Sequence, residues 1–359
     1  MDTIQVGRDF AQAVAGFGPG APLILTHNDA DGLSAGVLLA RALARAGRAP
    51  GIRVLGRGEN PWSADMAAEL ATRSPAGLVV ADLGLRAGAV RPGTPTVVID
   101  HHVPTGDAEG VTVTTVEAEG VTVITGFGVE PTPTTSLLAY WCAAGLGAAD
   151  DLLWLAAIGI VGDLGDKAPF PALAEARKRY SVTALREAVS LLNAQRQRRA
   201  GSGDAGPALA LLMKADGPKA VVSGEHAETA VLAAAQEEVK QALDAARRIP
   251  PKISKPVALI RLHSPCQIHP LVAQSWRTRL KDSIVMAANT GYRPGWVHFA
   301  VRSATGRDLV AFLREHAPDD ADENYGNGHR QATGGALRPA AWNAFIAGLG
   351  FGSEMQVAA

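Results

Sequence analysis

The segment Thr26-His27-Asn28-Asp29-Ala30-Asp31-Gly32 places one imidazole and two carboxylates at alternate positions, directly behind the apolar run Pro22-Leu23-Ile24-Leu25. If extended backbone persists past Leu25, successive Cβ atoms point oppositely and His27, Asp29 and Asp31 project to one side. An imidazole and two carboxylates converging beyond a strand end suit a hard or borderline divalent cation. An Asp-rich loop that caps the following helix has the same lettering, so this segment alone leaves both readings open.

The same ending recurs further along. Leu78-Val79-Val80-Ala81 delivers Asp82, and Thr96-Val97-Val98-Ile99 delivers Asp100-His101-His102. Runs this short, apolar and β-branched predict buried strands of a parallel sheet. A fourth delivery, Gly162-Asp163-Leu164-Gly165-Asp166, follows a helical pattern over residues 151–161. Open α/β sheets bind ligands beyond the carboxyl ends of their strands, so these groups are expected to meet in one crevice. A lone buried His or Asp is ordinarily a satisfied core residue. Four deliveries in one alternating pattern ask for a different explanation.

The elements that must position them alternate strand and helix. Helices are predicted over residues 9–17, 33–46 and 65–72, with a further strand at 52–55, which gives a doubly wound, mostly parallel sheet. Glu109-Gly110-Val111-Thr112-Val113 repeats as Glu119-Gly120-Val121-Thr122-Val123 and reads as a hairpin or paired edge strands. Helices over 134–144 and 151–161 follow, the second aiming Asp163 at the site. Residues 172–200 are helical and basic, carrying seven Arg or Lys (from Arg177 to Arg199) against Glu175 and Glu187; they form either a solvated face or a groove wall for a phosphate backbone. A long Ala/Glu-rich helix over 225–248 ends at Pro250-Pro251, the expected boundary. Beyond it, strands at 257–262, 284–288 and 297–301 and helices at 271–280, 309–316 and 340–349 make a smaller α/β unit. The expected segmentation is 1–170, a helical connector at 171–255, and 256–359.

The 359 residues suffice for two domains with full cores, and 47% hydrophobic with 19% charged residues describes an ordinary soluble globular chain. A net charge of −1 excludes a global electrostatic footprint for nucleic acid, so a polyanion must meet a local patch or a metal. Cys142 and Cys266 lie far apart with no CxxC, which points to a reducing compartment. The N-terminus lacks signal-peptide character, and no apolar run of about twenty residues occurs, so a cytoplasmic protein without membrane contact is expected.

The four segments HNDADG, VVADLG, VIDHH and GIVGDLGD resemble, in order and spacing, the four motifs of the DHH phosphoesterase superfamily. That superfamily includes RecJ-type exonucleases, nanoRNases, cyclic-dinucleotide phosphodiesterases and family II pyrophosphatases. The first segment looks closer to the RecJ-like branch than to the pyrophosphatases, whose His and first Asp stand further apart. Residues 191–212 resemble the RecJ-like connector. Tyr325-Gly326-Asn327-Gly328-His329-Arg330-Gln331-Ala332-Thr333-Gly334 resembles the GGGHxxAxG signature of the DHH-associated C-terminal domain, with Asn327 in place of the central glycine. Arg302-Ser303 stands where that family carries a substrate-binding Arg-Ser pair.

The resemblance implies a two-domain α/β protein with its active site in the interdomain cleft. It assigns His27, Asp29 and Asp82 to one divalent ion, and Asp31, Asp82, His101 and Asp163 to a second, with Asp82 bridging. Two ions roughly 3.5–4 Å apart clamp the attacking and leaving oxygens of an in-line displacement, and a hydroxide bridging them is the nucleophile. Mixed imidazole and carboxylate ligation favours Mn²⁺ over Mg²⁺, the second candidate. His102 is implied to stabilise charge on a phosphate oxygen rather than bind metal. Asp100 either orients a histidine or caps a turn. Arg302, Ser303, Gly326, Gly328 and His329 are implied to grip the substrate's terminal phosphate. The expected activity is release of nucleotides from one end, by resemblance the 5′ end, of single-stranded DNA or RNA or of short oligonucleotides. The alternatives are a nanoRNase or cyclic-dinucleotide phosphodiesterase confined to very short substrates, a catalytically inactive nucleic-acid-binding scaffold, and a pyrophosphatase. Composition and spacing leave the oligomeric state open.

Overall fold

The computed structural model describes residues 1–56, 58–86, 89–104, 116–118, 120–199, 204–319, 321, 325–326 and 328–358. The chain packs as two compact units, Met1–Arg196 with Asp204–Ala233, and Gln197–Gly203 with Ala234–Ala359. Residues 171–255, expected as a connector, are divided between them.

In the first unit α1 (Thr3–Ala15) leads into β1 (Leu23–Thr26), α2 (Ala30–Arg45), β2 (Gly51–Val54), α3 (Ala64–Arg73), β3 (Leu78–Ala81) and β4 (Thr96–Asp100). β5 (Val116–Ala118) and β6 (Val121–Thr125) complete a six-stranded sheet of order β2-β1-β3-β4-β6-β5. Five strands are parallel, and β5 is antiparallel to β6 at the edge. The first copy of the Val/Thr repeat, residues 109–113, lies outside the described residues; the second copy is β6, paired with 116–118. Side chains of the central strands alternate between two cores, as a pleat requires. Ile24, Val79, Val97, Ile99 and Ile124 join the large core with α1, α2, α4 (Thr135–Leu146) and α5 (Leu153–Leu164). Leu23, Leu25, Leu78, Val80 and Val98 face the smaller core with Met66 and Leu70 of α3. Burial on both faces is why these strands are apolar throughout.

α6 (Pro171–Arg179), α7 (Val182–Gln197), α8 (Gly206–Lys214) and α9 (Pro218–Val222) follow, and α10 (Ala227–Ala246) runs from the first unit into the second. The basic residues of α6 and α7 are largely paired. Arg179 meets Glu175 and Asp150, Arg186 meets Asp166, and Arg196 meets Asp29. Just past α7, Arg198 and Arg199 both meet Glu238. The anions that neutralise this stretch come mostly from distant segments, which the local charge count misses. It offers a phosphate backbone far less free charge than its composition suggests.

The second unit contains β7 (Lys252–Ser254), β8 (Val257–Leu262), α11 (His269–Arg277), β9 (Ile284–Asn289), β10 (Val297–Ser303), α12 (Leu309–Glu315), β11 (Gly328–His329), β12 (Ala332–Leu337) and α13 (Pro339–Gly348). Its sheet has the order β11-β12-β10-β9-β8-β7; β8 and β9 are parallel and the other pairs antiparallel. No helix among the described residues is long and apolar enough to cross a membrane.

Candidate metal centre

The strand order reverses between β1 and β3: the chain leaves β1 for β2 on one side and returns to β3 on the other. This is the switch point at which open α/β sheets open a crevice. Thr26 pairs with Ala81, and Ala81 with Ile99, so His27, Asp82 and Asp100 leave neighbouring strands at one level. The His27 Nδ1 to Asp82 Oδ2 distance is 3.5 Å.

Extended backbone does not persist through the first motif. Helix α2 already begins at Ala30, with Asp29 as its N-cap accepting from the Gly32 amide at 3.0 Å. The helix-capping reading of these letters is therefore correct for Asp29, and alternation is not what gathers the three side chains. They converge because the chain turns abruptly into a helix. Gly32 permits that turn: a Cβ there would lie 2.7 Å from both the Cβ and the carbonyl oxygen of His27. Asp31 then projects from the first helical turn, buried, against the N-terminus of α4. Its two oxygens accept from the Thr135 and Ser136 amides at 2.9 and 3.0 Å.

Asp82 occupies the centre. It adopts a left-handed conformation, φ 65°, which Asp tolerates better than most residues. One oxygen lies 3.5 Å from His101 Nε2 and accepts from the Thr135 hydroxyl at 2.9 Å, while the other faces His27. Several donor groups result. His27, Asp29 and Asp82 have ligand atoms within 4.8 Å of one another; so do Asp31, His101 and Asp163, and so do Asp82, Asp100 and His102. Asp163 sits on the last turn of α5, not beyond the helix, 3.3 Å from His101.

Asp100 is buried and engages His102 twice, accepting from its amide at 2.7 Å and from ring Nδ1 at 3.0 Å; its other oxygen accepts from the Gly84 amide. An ionised carboxylate only accepts, so Nδ1 carries the proton and the ring presents Nε2 on its opposite edge.

The electrostatics describe a pocket that demands positive charge. Burial, then the Asp82 and Asp163 carboxylates, hold Asp31 well above the usual carboxylate range. Burial alone would lower His27, but Asp29 and Asp82 outweigh it and raise the imidazole to about 10. His101 is raised in the same way, with Asp163 and Asp82 overcoming burial. Asp100 is held low because His102 and His101 outweigh its burial, and His102 is raised by Asp100 against its own burial. Among the described residues no Lys or Arg pairs with Asp31, Asp82, Asp100 or Asp163. Crowded carboxylates interleaved with imidazoles, with Arg196 at Asp29 but, among the described residues, no Lys or Arg on the other four, fit divalent metal ions.

The sequence reading passed over several supports. Thr135 and Ser136 hold Asp31 and Asp82; the signal is Pro133-Thr134-Thr135-Ser136 before an apolar run, a helix start with Thr134 as cap. Asn193 accepts from the Ala30 amide at 2.9 Å, and Arg196 pairs with Asp29 at 2.9 Å, so α7 braces the first motif. Gly159 lets α5 approach the Asp31 carboxylate.

The phosphate-binding candidates lie in the second unit. Arg302, on β10, donates to the Val301 and Thr333 carbonyls. Ser303 is buried, and its hydroxyl is engaged by the Ser283 carbonyl and Thr305, bracing the strand end. His329 lies on β11 beside Gly328, whose φ of 133° and close approach to the Ala332 carbonyl exclude a side chain; Gly326 also has positive φ. Asn327 lies outside the described residues.

No protein-family model matches the chain. No curated protein matches it either. Solved structures do. A crystal structure of exonuclease RecJ bound to manganese aligns over 96% of this chain and 93% of its own, with 18% identity and a TM-score of 0.63. RecJ from Thermus thermophilus in complex with Mn²⁺ aligns at 17% identity and a TM-score of 0.67, over 96% of this chain. This chain spans about half, 54%, of that protein. A DHH domain described as a member of the s1p family of ribosomal proteins aligns at 19% identity and a TM-score of 0.63, over 97% and 89% of the two chains. The chain has the fold of the DHH phosphoesterase superfamily.

Proposed function

We propose that this protein is a divalent-metal-dependent phosphodiesterase that releases nucleotides from one end, the 5′ end, of single-stranded nucleic acid or short oligonucleotides. The observation that carries this reading is Asp82, whose two oxygens face two separate donor groups, so a single carboxylate links them. His27, Asp29 and Asp82 would hold one ion; Asp31, Asp82, His101 and Asp163 would hold the other. When bound, such ions, Mn²⁺ before Mg²⁺, supply Lewis-acid polarisation of the phosphoryl group and acidify water toward neutrality. The chain's own residues do the rest. Asp100 fixes the His102 tautomer, so the Nε2 edge of that ring meets charge developing on a phosphate oxygen. Thr135 and Ser136 keep Asp31 and Asp82 from rotating. Arg302 and His329 are assigned to the substrate's terminal phosphate, with Gly326 and Gly328 shaping the loop and Ser303 steadying the strand. RecJ structures with manganese and with Mg²⁺ support a divalent cation, and the exonuclease among them supports reading the substrate as nucleic acid.

A length series of 5′-labelled DNA and RNA strands, incubated with Mn²⁺, tests the reading. Mononucleotide release from strands of ten or more residues is expected. Activity confined to two to five residues would reassign the enzyme to very short substrates. No hydrolysis at any length, with strand binding retained, would make the protein a scaffold.

A further inference from the structure

The second unit carries a separate cavity of about 650 Å³ at the end of the sheet remote from Arg302. Val297 and Arg302 are five residues apart on β10, roughly 17 Å of strand at the ordinary rise. Arg261, His263, Thr290, Trp296 and Gln356 contribute to its lining, which among the described residues contains no Asp or Glu. The local sequence accounts for its shape. Arg293-Pro294-Gly295-Trp296 forms a turn in which the Trp296 amide donates to the Arg293 carbonyl, with Pro next and Gly295 at φ 74°. Proline second and a positive-φ glycine third define a type II turn, which sets Arg293 and Trp296 at its two ends.

Two guanidinium groups then gather on that indole. Arg338 stands 4.0 Å from the ring centroid and Arg293 5.5 Å. Arg261 reaches the Gln356 carbonyl, and Arg338 reaches the Gly295 carbonyl. Among the described residues none of Arg261, Arg293 and Arg338 has a carboxylate partner, unlike Arg179, Arg186 and Arg196 of α6 and α7. In a chain with 34 basic and 35 acidic residues, this is a local concentration of uncompensated charge. Planar guanidinium groups match phosphate oxygens, and guanidinium groups lying over an indole that lines the cavity make a cationic, aromatic wall for a nucleobase carrying a phosphate. The volume suits a ligand of nucleotide size.

We infer that this cavity is a second binding site, distinct from the metal centre, for a nucleobase carrying a phosphate. The base lies in the cavity against Trp296, and the phosphate meets Arg261, with Arg293 and Arg338, over the same indole, adding positive charge at the rim. The ligand is either an internal segment of a single strand or a free nucleotide, since both present the same chemistry.

Equilibrium binding to the full chain in EDTA separates this inference from the hydrolase reading, because no turnover is required. The probes are a labelled twenty-residue oligothymidylate, thymidine monophosphate, and an abasic deoxyribose-phosphate oligomer of the same length. Trp296→Leu and Arg293→Glu are each expected to weaken oligothymidylate binding about tenfold or more. Arg247→Glu, which makes the same charge change where Arg247 pairs with Asp244, is expected to leave it unchanged. The milder Arg293→Gln, with an unaltered melting profile, guards against misfolding. Loss of strand binding alone assigns the site to a strand segment, and loss of monophosphate binding assigns it to a free nucleotide. Equal affinities across wild type and variants, an equal loss in Arg247→Glu, or abasic oligomer bound as tightly as oligothymidylate would overturn the inference.

Discussion

Replacing Gly159 with alanine tests whether close packing of α5 holds the site together. A Cβ at Gly159 would stand 2.0 Å from Ser136 Oγ and 2.1 Å from Asp31 Oδ1. Ordinary contact begins near 3.4 Å, so roughly 1.4 Å must be found somewhere. Neither neighbour moves cheaply. Asp31 is pinned by two backbone amides, and the Ser136 hydroxyl donates to the Ala156 carbonyl. The helix itself must therefore shift, carrying Asp163 with it. Ligand distances tolerate about 0.2 Å, so both Asp31 and Asp163 would leave register. We expect Mn²⁺ affinity to fall about 10- to 100-fold and hydrolysis about 100-fold. Overpacking should cost about 1–3 kcal/mol of stability. Calorimetric Mn²⁺ titration and initial rates measure the first two, and thermal unfolding the third. Gly348→Ala, also helical but with open space around its Cβ, should be neutral in all three. A folded Gly159→Ala protein that binds Mn²⁺ and turns over within about threefold of wild type would refute the packing argument.

Two further predictions follow from single carboxylates. Asp100→Asn should lower kcat about 100-fold, because an amide can donate to His102 Nδ1 and turn the tautomer around; Mn²⁺ affinity should change little, and an unchanged kcat would count against the orienting role. Glu238 is held below the usual range, since its bonds to Arg199 and Arg198 outweigh its burial. A depressed folded-state pKa stabilises above the unfolded value near 4.5 and loses that benefit as pH falls through the folded value. Glu238→Gln should thus cost about 1 kcal/mol at pH 7, the difference shrinking below the unfolded value of 4.5 and vanishing once the folded carboxyl is protonated, in denaturant melts; parallel curves would contradict this.

The parallel sheet was legible because strands buried on both faces must be apolar and β-branched, as at 78–81 and 96–99. The candidate residues His27, Asp82 and His101 were legible because each follows such a strand, and Asp163 because it closes an apolar helix; Asp29 and Asp31 were legible only as acids beside His27. The geometry within the first motif was not: alternation suggested a strand continuing past Leu25, whereas Gly32 lets α2 start at Ala30. Asn193, Arg196 and Gly159 escaped notice because their partners are far off in sequence; Arg196 stands 167 residues from Asp29. Strands β7 and β11 were missed because runs of three and two residues are too short to show a period, and β12 because Gly334-Gly335 interrupts its pattern. The pairing of the basic stretch was hidden for the same reason, most of its acids lying in distant segments.

The central claim is that His27, Asp29, Asp31, Asp82, His101 and Asp163 hold two divalent ions joined through Asp82. Electron paramagnetic resonance during Mn²⁺ titration of the intact chain tests it most directly. Two ions per chain with a spin-coupled spectrum are expected, the coupling being lost in Asp82→Asn. One uncoupled ion, or binding that Asp82→Asn leaves unaltered, would contradict the account.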